Sequence, residues 1–185
     1  MFTTPVSEIE RELSPGEKLL WSGRPRQGLC LRASDTFVIP FSLVWCGFAV
    51  FWEYSVVSTG APLLFKLWGI PFILVGLYVV FGRFFVDAKM RESTYYGITN
   101  ERLIIVKGLF SRQTKSLPLS TLSDISLTER ADRSGTITLG PTIPFAQHIP
   151  GGWPGADKYT PPAFEMIVRA KETYELIRQA QRGGK

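Results

Sequence analysis

Cysteine and histidine are nearly missing from this chain: 185 residues hold two cysteines, Cys30 and Cys46, and one histidine, His148. The two thiols lack CxxC spacing and stand in or beside apolar runs. Neither a disulfide framework nor a zinc site has enough ligands, and the pattern implies free, buried thiols in a reducing compartment. His148 has no cysteine or carboxylate cluster around it and no nucleophile to serve, so it provides neither a metal site nor a catalytic base. No GxxxxGK[ST] or GxGxxG run stands between a strand and a helix. Glu129, Asp132 and Asp157 flank turns, where carboxylates are solvated. A concentrated basic stripe is missing as well, because the net charge of +5 is spread along the chain. The expectation is a non-enzyme with no cofactor, no metal, no small-molecule substrate and no nucleic-acid partner.

The most informative absence is that of charge from the second quarter of the sequence. Mean hydropathy is +0.08 even though 20% of residues are charged, because the two kinds of residue are segregated. Residues 36–52 carry no charge and are mostly Phe, Val, Ile, Leu, Trp and Ala. They make about 26 Å of helix, close to the ~30 Å of bilayer hydrocarbon. Extension to Val57 completes a span, with Trp52 and Tyr54 at headgroup level. Residues 63–86 form a second apolar stretch whose charges, Lys66 and Arg83, lie near its ends, where long side chains snorkel. Residues 58–62 (STGAP) are the turn. The opening residues are polar and acidic, unlike a signal peptide, so no cleavage is expected.

The flanking charges set an orientation. Arg24, Arg26 and Arg32 precede the first span, and Arg83, Lys89 and Arg91 follow the second, whereas the turn side offers only Glu53 and Lys66, which cancel. An excess of Lys and Arg on both outer flanks places both termini in the cytoplasm. These six residues are also candidates for contact with lipid headgroups. Gly69 and Gly76 share a face of the second span and allow close approach to Cys46, Gly47 or Ala49 of the first, or to a partner. Pro71 removes a hydrogen bond and is expected to kink the second helix.

Beyond Arg91 the pattern becomes short alternating runs. Residues 93–99 (STYYGIT) and 103–107 (LIIVK) read as a hairpin, 113–119 as a third strand, 122–127 as a weaker fourth, 136–139 (TITL) as a fifth and 163–168 (AFEMIV) as a last. Residues 140–162 are too rich in Pro and Gly to be regular, and a loop of that length is unusual in a compact domain. Ala170, Tyr174, Ile177 and Gln181 recur at helical spacing, ending at Gly183 and Gly184. The expected organisation is an N-terminal cytoplasmic segment (1–34), a transmembrane hairpin (35–88, spans 36–57 and 63–86) and a small β domain sealed by a helix (91–182).

Several segments together resemble a known family. They are LSPGEKLLWSGRP (13–25), the apolar pair ending in GLYVVFGR (76–83), YYGITNERLIIVKG (95–108), SLPLSTLSDISL, SGTITLG and PPAFEMI followed by a helix. The sequence is similar to the bacterial pleckstrin-homology-like (PH-like) family of membrane-anchored proteins, over nearly the whole chain from Leu13. The resemblance implies an α+β membrane protein of the bacterial plasma membrane. Its cytoplasmic domain would be a seven-stranded, half-open β-barrel capped by a C-terminal helix, with oligomers common. GEKLLWSG is left to lie against the domain or the membrane. Two departures stand out: the 140–162 segment looks expanded, and Arg169 stands where a helix-capping Asp would be expected.

Phosphoinositide-binding relatives of the fold use paired basic residues on the first two strands. Here the hairpin offers Arg102 and Lys107 with Glu101 adjacent, a poor phosphate cradle. The function read from the sequence is therefore a membrane-anchored binding or scaffold module, a subunit or assembly factor of a membrane complex, that contacts other membrane proteins or itself. A lipid-sensing module that binds anionic membrane lipid is the alternative. Phe145, Ile149, Trp153 and Tyr159 lie on an irregular segment, where aromatics gain most from a second surface, and are the candidate partner-binding residues. Trp153, between Gly152 and Pro154, is the largest. Trp153→Ala is expected to weaken partner or self association by roughly thirtyfold in co-purification from mild detergent, with the melting temperature unchanged. A loss of thermal stability instead would make the segment a cover on its own domain.

Overall fold

The computed structural model describes residues 5–32, 34–108, 111–141 and 160–183. These residues divide into two compact units: 29–87 form one, and 5–28, 88–141 and 160–183 form the other.

The first unit is a helical hairpin. Helix α2 spans Asp35–Ser58, following a short α1 (Pro5–Glu10) that belongs to the other unit, and α3 spans Leu63–Leu77. Both are apolar all round, and Phe37, Val44 and Leu64 each leave more than 70% of their surface uncovered. Side chains of this kind in such number are not stable against water and require lipid or another apolar surface. Gly69 and Gly76 are the buried residues of α3. A methyl at Gly76 would stand 3.1 Å from Cβ and Sγ of Cys46, so the missing side chain is what lets the helices meet there. At Gly69 the notch is filled by the Glu53 carboxylate, whose Oε2 is buried without a hydrogen-bond partner. Pro71 lies within α3, and Pro40 within α2.

The second apolar stretch does not end at Val86 as one regular helix. A π-helical turn at Tyr78–Gly82 interrupts it, and α4 continues over Arg83–Glu92. Nor does Arg83 snorkel: only 2% of its surface is exposed. Its Nη1 donates to Asp35 Oδ1 at 2.5 Å, its Nε donates to the Val79 carbonyl at 2.8 Å, and the guanidinium lies 4.2 Å from the Phe84 ring centroid. Asp35 also accepts from the Arg32 N–H at 2.6 Å, while the Arg32 guanidinium reaches Asp87 at 2.8 Å. Two arginines and two aspartates thus cross-link the first residues of α2 to α4. The cause is electrostatic: a guanidinium buried among apolar side chains is costly unless a carboxylate stands beside it.

The second unit contains seven strands in two sheets, among the described residues. Strands β1 (Leu19–Gly23), β2 (Thr94–Thr99), β3 (Arg102–Lys107) and β4 (Gln113–Pro118) form an antiparallel sheet in chain order, and β5 (Ile125–Glu129), β6 (Gly135–Leu139) and β7 (Ala163–Ile167) form a second. No strand pairing joins the sheets among the described residues, so the half-open barrel of the sequence reading is two open sheets. Pro118 and the 3-10 turn Leu119–Thr121 end the β4 ladder before β5 begins. The segment GEKLLWSG, whose place was open, supplies β1 and pairs with β2, with Trp21 opposite Ile98.

Helix α5 (Ala170–Gly183) closes the core with Ala170 and Ile177, which pack with Tyr96, Ile98, Leu103, Ile105, Ile137 and Phe164. Tyr96 and Trp21 stack on Phe164 at ring-centroid distances of 4.6 and 6.1 Å. Without a capping Asp, the helix starts from Arg169 in the left-handed region (φ 54°), whose carbonyl accepts from the Thr173 N–H at 3.3 Å. β3 is apolar on both faces because both are covered. Leu103 and Ile105 face the core, while Ile104 and Val106 meet the fully buried Ile9 of α1. Gly97 makes room there, since a methyl would stand 2.6 Å from Ile9 Cγ2. Arg112 pins α1 through Glu8 (2.6 Å) and the following Glu12 (2.8 Å).

Removing one member of a buried ion pair strands the other. Arg83→Ala is therefore expected to lower stability of the detergent-solubilised protein by about 3–5 kcal/mol, whereas Asp35→Ala combined with Arg83→Ala costs less than Arg83→Ala alone. Thermal unfolding of the three proteins would check the order.

Candidate functional site

The two segments most specific to the resemblance meet in the structure. In LSPGEK, Pro15 precedes Gly16 at φ 87°, and the Glu17 N–H donates to the Ser14 carbonyl at 3.0 Å. Proline followed by a left-handed glycine is the pattern of a type II turn. The turn presents Glu17, whose carboxylate returns to accept from the Ser14 N–H at 2.8 Å.

In YGITNER the turn between β2 and β3 is organised by Thr99. Its Oγ1 accepts from the N–H groups of Glu101 (3.2 Å) and Arg102 (3.0 Å) and donates to Glu17 Oε1 at 2.7 Å. Arg102 grips the same carboxylate with two nitrogens, Nε to Oε1 at 2.9 Å and Nη2 to Oε2 at 2.8 Å. Its other contacts are the Glu12 carbonyl, Ser14 Oγ and Ser116 Oγ. Asn100 completes the junction, accepting from the Lys18 N–H at 2.7 Å and donating its own to the Lys18 carbonyl at 3.1 Å. Tyr96, the first residue of the motif, places its hydroxyl to accept from the Glu165 N–H at 3.0 Å.

The Arg102 hydrogen bonds hold the Glu17 carboxyl down at about 2, with Ser14 and Thr99 adding to the effect against the cost of burial. The same contact raises Arg102 above its ordinary value. Arg102 is thus engaged by a carboxylate of its own chain.

The basic residues that flank the hairpin are largely occupied too. Arg24 lies over the Tyr95 ring at 4.4 Å, Arg26 pairs with Asp132 at 2.5 Å, and Lys89 pairs with Glu92 at 2.8 Å on the surface. Arg91 is buried and donates to the Arg26 and Gly28 carbonyls. Arg32 and Arg83 belong to the cross-link described above. Phe145, Ile149, Trp153, Tyr159 and His148 lie outside the described residues. Asp35, Asp87 and the role of Glu17 were not drawn from the sequence. Their signal was an acidic residue at each end of a stretch that holds only Glu53, Lys66 and Arg83 as charges between them, and a glutamate following Pro-Gly.

A cavity of about 630 Å³ opens between the β2–β3 turn, the 3-10 turn and the end of α5, lined by Asn100, Glu101, Ser120, Arg178 and Arg182 among others. Gln181 supports one wall through the Leu119 and Leu122 carbonyls. Among the described residues no group of three or more His, Cys, Asp and Glu could hold a metal ion.

A four-plus-three arrangement of antiparallel strands closed by a C-terminal helix defines a PH-like domain, a class of fold used for binding. The sequence model of the bacterial PH domain family matches residues 38–177, and the chain belongs to that family. No curated protein and no solved structure matches the chain.

The low Glu17 pKa makes a signed prediction. A carboxylate held at about 2, against an ordinary 4.5, contributes stability that is complete above pH ~4.5 and is lost as pH falls toward 2, on the order of 2–3 kcal/mol. Glu17→Gln is expected to be less stable at neutral pH, with the gap to the native protein closing between about pH 4.5 and pH 2. Denaturant midpoints followed through Trp fluorescence would measure it; a constant gap would remove Glu17 as the titrating group.

Proposed function

We propose that this protein is a membrane-anchored, non-enzymatic binding or scaffold module. The α2–α3 hairpin sits in the bacterial plasma membrane with both termini on the cytoplasmic side. The PH-like domain contacts other membrane proteins, or a second copy, as a subunit or assembly factor of a larger complex. The observation that carries this reading is one of connectivity: β1 and β2 are paired neighbours in a sheet, yet the whole hairpin lies between them in the chain. An insertion that leaves a folded domain and returns to it crosses a bilayer an even number of times. That matches the basic residues on both outer flanks, and α2 and the continuous helical stretch Leu63–Glu92 are long and apolar enough to cross.

The partner contact is proposed for the 140–162 segment through Phe145, Ile149, Trp153 and Tyr159, on the physical ground given above for aromatics in irregular chain. A PH-like domain that belongs to a binding family, tethered through both β1 and β2 to a membrane anchor, is suited to hold a second component at the surface rather than to diffuse to it.

Topology provides the direct test. In a background lacking Cys30 and Cys46, a cysteine at Ser58 is expected to react with an impermeant maleimide added to intact cells, and one at Gly183 only after lysis. Labelling at Gly183 from outside would overturn the orientation.

A further inference from the structure

Residues 29–87 include six charged side chains, and none of them is exposed. Arg83, Asp35 and Asp87 are buried, and Arg32, Glu53 and Lys66 are half-buried. Three are basic and three acidic, so the unit is formally neutral and the chain's net charge of +5 lies wholly outside it. The charged base is held from both sides of the approach to α2. The Arg32 carbonyl accepts from the Asp35 N–H at 3.0 Å, while its guanidinium reaches Asp87 at 2.8 Å.

What the unit exposes is apolar, and this surface continues past the charges. Asp35 and Arg83 face each other across the helix pair. Phe37 follows Asp35 by two residues and Phe85 follows Arg83 by two, which on a helix is about 200° round the axis. Their rings, 76% and 65% exposed, therefore point away from the pair on opposite sides. The approach segment adds Leu29 and Leu31, 66% and 63% exposed, with half-buried Cys30 between them and Arg32 turned inward. A partner protein covers one side of such a base. Apolar side chains directed to opposite sides need a medium that surrounds it.

Length gives the same answer. Helix α2 has 24 residues, about 36 Å of rise. A bilayer offers a hydrocarbon core of ~30 Å and ~40–45 Å with its headgroup layers. The ends of α2 therefore fall in the interfacial layers, where apolar side chains beside buried polar groups are at home.

We propose that the lipid-covered surface of the hairpin does not end at its charged base but runs past it, and that residues 29–32 form an interfacial foot. Leu29 and Leu31 enter the upper acyl chains on one stretch and Phe37 and Phe85 on the two helices, so that lipid seals the Asp35–Arg83–Arg32–Asp87 cross-link from water. The foot fixes the depth at which the anchor sits. The inference rests on the membrane-anchored reading above.

The test uses the full chain in phosphatidylcholine vesicles, with Cys30→Ser and Cys46→Ala as background. Single cysteines replace Leu29, Leu31 or Phe85, and each is labelled with an environment-sensitive fluorophore. Val44→Cys, near the middle of α2 and 74% exposed, and Gly183→Cys, at the end of α5, are the references. Iodide in the water is expected to quench the labels at 29, 31 and 85 roughly fivefold less than the label at 183. A spin-labelled lipid with its nitroxide high on the acyl chain is expected to quench them more than one with the nitroxide near the chain end, with the order reversed at 44. Iodide quenching at 29, 31 and 85 equal to that at 183, with the label at 44 protected, overturns this inference alone. Protection from iodide without quenching by either lipid means that protein covers the foot, and overturns it too. A label at 44 as open to iodide as the one at 183 removes the anchored reading and this one with it.

Discussion

The carboxylate of Glu17 is the contact on which the domain's architecture depends. It stands two residues before β1, and its partners, Thr99 and Arg102, stand at the turn between β2 and β3. Between these two stretches the chain makes an excursion through the entire apolar hairpin. Pairing β1 with β2 therefore requires closing a loop of about seventy residues, an entropic cost that grows only slowly with length but must be met by local contacts. A buried carboxylate held by a two-nitrogen arginine grip and a hydroxyl meets that need with geometry as well as energy, because the fork and the carboxylate match in only one register. Asn100 and Lys18 then bond each other in both directions and start the strand ladder.

The hairpin repeats the same solution at its own base. Asp35, Arg83, Arg32 and Asp87 cross-link α2 and α4, and the π-helical turn at Tyr78–Gly82 comes immediately before Arg83. Inserting one residue into a helix rotates everything beyond it by about 100° relative to the regular course. The turn thus helps decide which face of α4 carries Arg83. Between this base and the loop, contact depends on what is missing: side chains at Gly69 and Gly76.

Much of this was legible in residue patterns. The two apolar stretches, the strand order from TYYGIT to AFEMI and the amphipathic last helix follow from periodicities of 3.6 and 2 that local sequence carries directly. The run LIIV at 103–106, apolar at every position, is the signature of a strand covered on both faces, but nothing local identifies Ile9 as the outer cover. Arg102 and Lys107 invited comparison with phosphate-binding strands, and the count of basic residues was right. What they faced was not legible, since Glu17 is 85 residues from Arg102 in the chain. Similarly, Arg83 read as a side chain reaching for the interface because its partner, Asp35, belongs to the other helix.

The sequence by itself determined which segments are apolar enough to leave water, which alternate as strands and where charge collects, because these depend on each residue's own chemistry and that of its near neighbours. Tertiary structure alone decided which charges are free. Arg24, Arg26, Arg32, Arg83, Lys89 and Arg91 are alike in composition, yet all but Lys89 are tied to a ring, an aspartate or a carbonyl brought in from distant chain. Arg133 and Arg169, which no local pattern distinguishes, are left facing solvent. Pairing energies depend on separation in space, falling off within a few ångströms when water intervenes, and separation in space is what folding sets.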